Sequence, residues 1–267
     1  MRLTLFVAAL IQCTYLFAAD DRPVGTNCEL AAPPEDAGEE LSRGFTVLTS
    51  YTFSKNIDYN SRNNNVLDNV IANPFNFFYS RGVADNDHPH RFVTSFLWDL
   101  PGKTLDSAPL RAILGYWQVG GIVTAQSGRP FTINSSSDRA ALNGPNNPRA
   151  DLVGTLALPD GRSRGAQIDQ YFNTSAVTQA APGTFGTLGR NPLRGPAYIN
   201  SDISVARSFP LKFREAAKLT FRGEAFNIFN RPQLATPNST VGVGGFGKIT
   251  STDGDPRILQ FGLKVDF

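Results

Sequence analysis

The chain has 267 residues, of which 41% are apolar and only 18% charged, and its formal net charge is +2. That balance, with no basic cluster, offers nothing to a nucleic-acid backbone, and 2 His and 2 Cys leave little for metal or disulfide chemistry. The length admits one large or two small domains, and 20 Phe is the unusual count.

Residues 1–19 carry Arg2 and then a long apolar run, the pattern of a secretory signal peptide. Phe17-Ala18-Ala19 makes an imperfect cleavage site, so a short membrane anchor or a displaced gene start stays open beside export. Cys13 leaves with such a signal and Cys28 then stands alone, which implies no disulfide framework. Residues 20–42 are acidic, contain Pro33-Pro34 and show no periodicity, so they read as a linker.

From residue 43 to residue 267 the chain is patterned. Phe45, Val47, Thr49, Tyr51 and Phe53 alternate with Thr46, Leu48, Ser50, Thr52 and Ser54, which predicts a strand with Leu48 as its one exception. An Asn-rich loop, 56–88, follows. The second strand, about 90–100, sets Phe92, Thr94, Phe96, Trp98 and Leu100 against Arg91, Val93, Ser95, Leu97 and Asp99, and Pro101-Gly102 ends it. The third, about 112–126, sets Trp117, Val119, Val123 and Ala125 against Tyr116, Gln118, Gly120, Thr124 and Gln126. Residues 127–196 are the longest irregular stretch, with room for short strands or a helical turn. The fourth strand, about 197–209, carries Ile199, Ile203, Val205 and Phe209 on one face. In the fifth, about 217–229, Leu219, Phe221 and Ala225 oppose Lys218, Thr220, Arg222 and Glu224. After a loop at 230–255, the sixth alternates Gln260, Gly262, Lys264 and Asp266 with Phe261, Leu263, Val265 and Phe267.

Long loops join strands one to two, three to four and five to six, and short connections join the others. In an antiparallel meander all long loops then lie at one end. Strands of about 9–11 residues with one greasy face suit a bilayer. The expected fold class is therefore all-β: an antiparallel transmembrane β-barrel segment of about six strands, with short periplasmic turns and long extracellular loops. A soluble sandwich gives no reason for that sorting.

The polar faces of strands four and five place Asp202, Arg222 and Glu224 together, either as a lumenal polar network or as solvated groups of a wet interior. Tyr51, Trp98, Phe209 and Phe229 lie near strand ends, where interfacial aromatics are expected. Asp85, Asp87, His88 and His90 make too thin a set for a metal site. Gly242 to Gly247 lacks the strand–helix context of a phosphate cradle, and no G-x-S-x-G frames a nucleophile, so no enzyme, cofactor or metal is expected.

Several segments resemble Oar-like TonB-dependent receptors. Ser50-Tyr51-Thr52-Phe53-Ser54-Lys55-Asn56-Ile57-Asp58 looks like their S-Y-T-x-S-K-x-x-D strand, and residues 81–92, RGVADNDHPHRF, look like the R-G-x-A-D-x-D lead-in to the next. Residues 115–122, GYWQVGGI, are similar to G-W-Q-x-G-G-I, residues 221–230, FRGEAFNIFN, to F-R-x-E-x-F-N, and residues 256–264, PRILQFGLK, to P-R-x-x-Q-x-G-L-K. The matches run over residues 41–267 in order. The resemblance implies an outer-membrane barrel in contact with outer-membrane lipid, engaged in energised uptake or export. Gln260, Gly262, Val265 and Phe267 resemble the signal read by the outer-membrane assembly machinery. Residues 1–40 show neither plug nor TonB box, so the chain is expected to be a carboxyl-terminal barrel fragment. Such a fragment pairs with other barrel strands or a plug domain in trans. The alternative is a secreted β-rich module whose long loops recognise a glycan or a surface partner.

Overall fold

The computed structural model describes residues 40–41, 44–61, 72–104, 106–137, 139–140, 148–211 and 217–266. The signal assignment, most of the linker and Phe267 lie outside the described residues. Six strands build one antiparallel sheet: β1 (Phe45–Phe53), β2 (His90–Asp99), β3 (Trp117–Gln126), β4 (Tyr198–Pro210), β5 (Lys218–Phe226) and β6 (Ile258–Asp266). They neighbour one another in chain order, and the two residues Glu40–Leu41 pair outside β1. The sheet is open: β6 at one edge and Glu40–Leu41 at the other are not paired with each other.

Two predicted boundaries are corrected. The third strand starts at Trp117 rather than near 112, because Ala108–Leu114 form a short helix, α1, with Pro109 in its first turn. Tyr116, with φ of 67°, then turns the chain into β3. The fifth strand ends at Phe226 rather than 229. Asn227 takes φ of 49°, a conformation Asn tolerates better than most residues. Its side chain fixes the turn, donating to the Arg231 and Asp255 carbonyls (3.0 and 3.1 Å) and accepting from the Arg231 N–H (2.9 Å).

None of the buried apolar side chains among the described residues belongs to the six wall strands. The core lies instead in the long loops. Phe131, Ile133, Ala150, Phe172, Val177 and Leu188 pack together, with Tyr171, Val241 and Phe246 against them. Phe172 meets Phe246 edge-on at 5.3 Å between ring centroids. Short elements shape this cap. Pro130–Phe131 pairs with Leu193–Arg194, Asp151–Leu152 with Val177–Thr178, and Asn134–Ser135 runs parallel to Thr240–Val241. Gly128 is required where two of these segments cross, since a Cβ there would lie 1.8 Å from the Gly195 carbonyl oxygen.

Half-buried ion pairs bind the first long loop to the second. Arg190 pairs with Asp58 and, at 3.2 Å, with Asp85. Arg194 pairs with Asp87, whose carboxylate also accepts the Asn56 N–H at 2.6 Å. Asn191, at φ of 51°, donates to Asp85 (2.5 Å) and to the Val83 carbonyl (2.7 Å). Asp87 is only 2% exposed, so removing its charge strands both donors. Asp87→Ala is expected to cost roughly 1–3 kcal/mol of cap stability, since Arg194 keeps access to water. Limited proteolysis of the protein folded in detergent should then cleave within residues 54–89 and leave the wall strands intact.

Candidate functional site

The wall has two faces of opposite character, and the registers settle which residue lies on each. On one face Phe45, Val47, Thr49 and Tyr51 stand opposite Trp98, Phe96, Thr94 and Phe92. The same row continues through Val119 and Val123 to Val205 and Ser201, then through Leu219 and Phe221 to Val265 and Leu263. This face is largely apolar, and among the described residues no second layer packs on it. Two glycines within it are covered by rings: a Cβ on Gly121 would lie 2.6 Å from the Phe96 ring, and one on Gly223 would lie 3.3 Å from that of Phe261.

The aromatics divide between the ends of this face. Tyr51 is at the long-loop end, where its hydroxyl meets His90 Nδ1 at 2.8 Å. Trp98 and Phe209 are at the short-loop end, beside Trp117. Phe229 falls beyond the end of β5, in the turn, and is 79% exposed. Sequence reasoning passed over Arg207, which interrupts the apolar alternation of β4 near its short-loop end. Its guanidinium covers the Phe209 ring at 4.4 Å from the centroid, lies 5.3 Å from that of Trp117, and donates to the Ile113 carbonyl at 2.8 Å. Trp117 Nε1 donates to the same carbonyl at 3.0 Å, so α1 is fastened to the rim of the apolar face. A lone cation two residues before an aromatic strand end was the available signal.

The opposite face carries Thr46, Ser50, Ser95, Gln118, Thr124, Ser204, Thr220 and Lys264. Arg222 and Glu224 form an ion pair at 2.6 Å on it. Asp202 shares the face without joining them: it accepts from the Asn227 N–H (2.8 Å) and from Asn200 Nδ2 (2.9 Å). The three residues are thus one pair and one turn anchor, because Asp202 lies near the long-loop end while Arg222 lies mid-strand. Leu48 and Ile122 flank Ser95 on this polar face, with Leu97 nearby, and form a small apolar island within it. On β6, Gln260 and Gly262 lie opposite Glu224 and Arg222 on the polar face, and Val265 lies opposite Leu219 on the apolar one. Asp85 and Asp87, weighed with His88 and His90 for a metal, turn toward arginines instead.

A family model described as an outer membrane beta barrel domain matches residues 36–260. Comparison with curated proteins and with solved structures gave no match. The two-faced geometry sets a test. Ile203, in mid-strand on the apolar face, replaced by Arg should destabilise the folded state in bilayers by about 2–4 kcal/mol. Ser204→Arg, one residue on and on the other face, should change it by less than about 1 kcal/mol. Urea unfolding in lipid vesicles reads the difference, and equal losses at both positions contradict a lipid-facing wall.

Proposed function

The chain belongs to the outer membrane beta barrel domain family, and from that premise we propose that it forms a sector of a TonB-dependent receptor barrel resembling the Oar-like receptors. The observation that carries the reading is the single-layer wall. A sheet with one continuous apolar face and no layer upon it has lipid as its natural partner. The sorting of the loops supports the orientation, with the folded cap outside the cell and α1 with the short 211–217 connection in the periplasm.

Within this reading the wall contributes lining and the cap contributes recognition. Energised passage needs a plug and the remaining strands, which other segments or another polypeptide supply. The polar face, with Arg222–Glu224 and its small apolar island, is the surface a plug domain meets. The partners are outer-membrane lipid, the assembly machinery that reads the β6 end, and those further strands. No step of covalent chemistry is assigned to the chain.

Fractionation tests the proposal. Expressed in a Gram-negative host, the protein should sediment with outer membranes and require detergent for release. Deleting Phe267 should move most of it to the periplasm as degraded or aggregated chain, since the terminal aromatic is part of the assembly signal. Recovery of folded, detergent-independent protein from the periplasm would instead favour a secreted module whose loops bind a surface glycan.

A further inference from the structure

The cap forms a half-open cavity of about 510 Å³, within the range that small polar ligands occupy. Three guanidinium groups line it: Arg129, Arg149 and Arg190. Arg190 is compensated by Asp58 and Asp85. Arg149 is not. It is 4% exposed, and among the described residues no carboxylate pairs with it. Its contacts are the Tyr79 carbonyl, 2.5 Å from Nη1, and the Tyr79 ring, whose centroid lies 4.1 Å below the guanidinium carbon. Arg129, exposed in the same lining, likewise has no carboxylate partner among the described residues.

A buried cation without a counter-ion is costly to keep. Burial pulls the Arg149 pKa below its ordinary value, and the charge of Arg190 pulls the same way, while Tyr79 opposes them. Two further groups on the cavity are unsatisfied: the Ser80 hydroxyl and the Asn134 side-chain oxygen are buried and have no hydrogen-bond partner among the described residues. One cavity therefore holds a surplus of positive charge, a free hydroxyl donor and a free amide acceptor. A ligand that satisfies all of them carries an oxyanion together with hydroxyl groups.

We propose that this cavity is a binding site for a small polyhydroxylated solute bearing a carboxylate or phosphate, with Arg149 and Arg129 holding the oxyanion, Ser80 donating to it, and Asn134 accepting from a hydroxyl. The site depends on the cap alone and holds whether or not the wall takes part in transport.

The test uses the full chain folded in detergent micelles and three probes at one ionic strength: galacturonate, galactose 6-phosphate and galactose. Calorimetry should show at least one of the two anionic sugars binding about tenfold or more tighter than galactose, and the tighter of the two identifies the oxyanion. Arg149→Met should abolish that preference. Arg129→Gln, at an exposed position that leaves the cap core untouched, should weaken the anion about tenfold, and Lys248→Gln, away from the cavity, should leave it unchanged. Galactose binding as tightly as both anions, no binding of either anion, or a preference that survives Arg129→Gln overturns the proposal. Near-ultraviolet circular dichroism of Arg129→Gln, unchanged from the parent, separates a lost contact from a lost fold.

Discussion

The backbone ladder of the wall is the constraint from which the rest follows. Hydrocarbon offers no partner to an N–H or a C=O, so every strand must satisfy its neighbours within the sheet. The registers from β1 to β6 run without a bulge between the paired residues. Because side chains alternate strictly, a slip of one residue anywhere would carry Phe96, Val205 or Leu263 to the wet face and Ser95, Ser204 or Lys264 into lipid. Register and two-faced character are thus one fact. They also explain why Arg207 is tolerated only near a strand end, where its aliphatic stem lies along the wall and its head reaches a helix carbonyl and two aromatic rings.

A sheet of one layer cannot bury a core, so burial had to occur elsewhere. The three long loops meet at one end and supply it. Their centre is an ordinary apolar cluster around Ile133, Phe172 and Leu188, but the join between the first and second loops is ionic. Asp58, Asp85 and Asp87 come from one loop, and Arg190 and Arg194 from the other. Charges taken out of water in this way stabilise little by themselves, yet each strongly opposes the loss of its partner. The cap therefore has one preferred arrangement, in which the cavity's carboxylate, Asp85, is turned to Arg190 and, among the described residues, none pairs with the buried Arg149.

The wall was legible in the sequence because its signal is local. Alternation at 45–53, 90–99 and 258–266 is a property of consecutive residues, and it located six strands to within a few positions. It failed at 112–116 and 227–229, where turn chemistry, Pro109 in one case and Asn227 in the other, overrides an apolar pattern that continues through it. The cap was not legible for the opposite reason. Arg190 and Asp58 are 132 residues apart, and the two loops that hold them are not periodic. Asp85 and Asp87 did stand out, as part of a strand lead-in and as too thin a metal set, but not as ion-pair partners, since the arginines that claim them lie in a loop read as irregular. Of the polar residues singled out, Arg222 and Glu224 came together because both lie on one strand face at a spacing of two. Asp202 did not, because a shared face says nothing of height along the strand.

Exposure along the wall shows where the sheet is unfinished. Phe221, inside it, has Phe261 of the neighbouring β6 at 6.3 Å and Trp117 of β3, on the far side of β4, at 6.5 Å between ring centroids. Phe261 and Leu263 on β6 are 69% and 72% exposed, since that strand has a neighbour on one side only. A bare edge in lipid leaves backbone groups unsatisfied, and six strands are fewer than the eight of the smallest bacterial barrels. On the proposed reading the wall is therefore completed by strands beyond these six, and passage through a pore belongs to the completed assembly. The cap differs, because its core and its cavity are built from this chain's own loops. On the proposed reading, recognition is accordingly the part that these residues carry by themselves, and conduction the part they share.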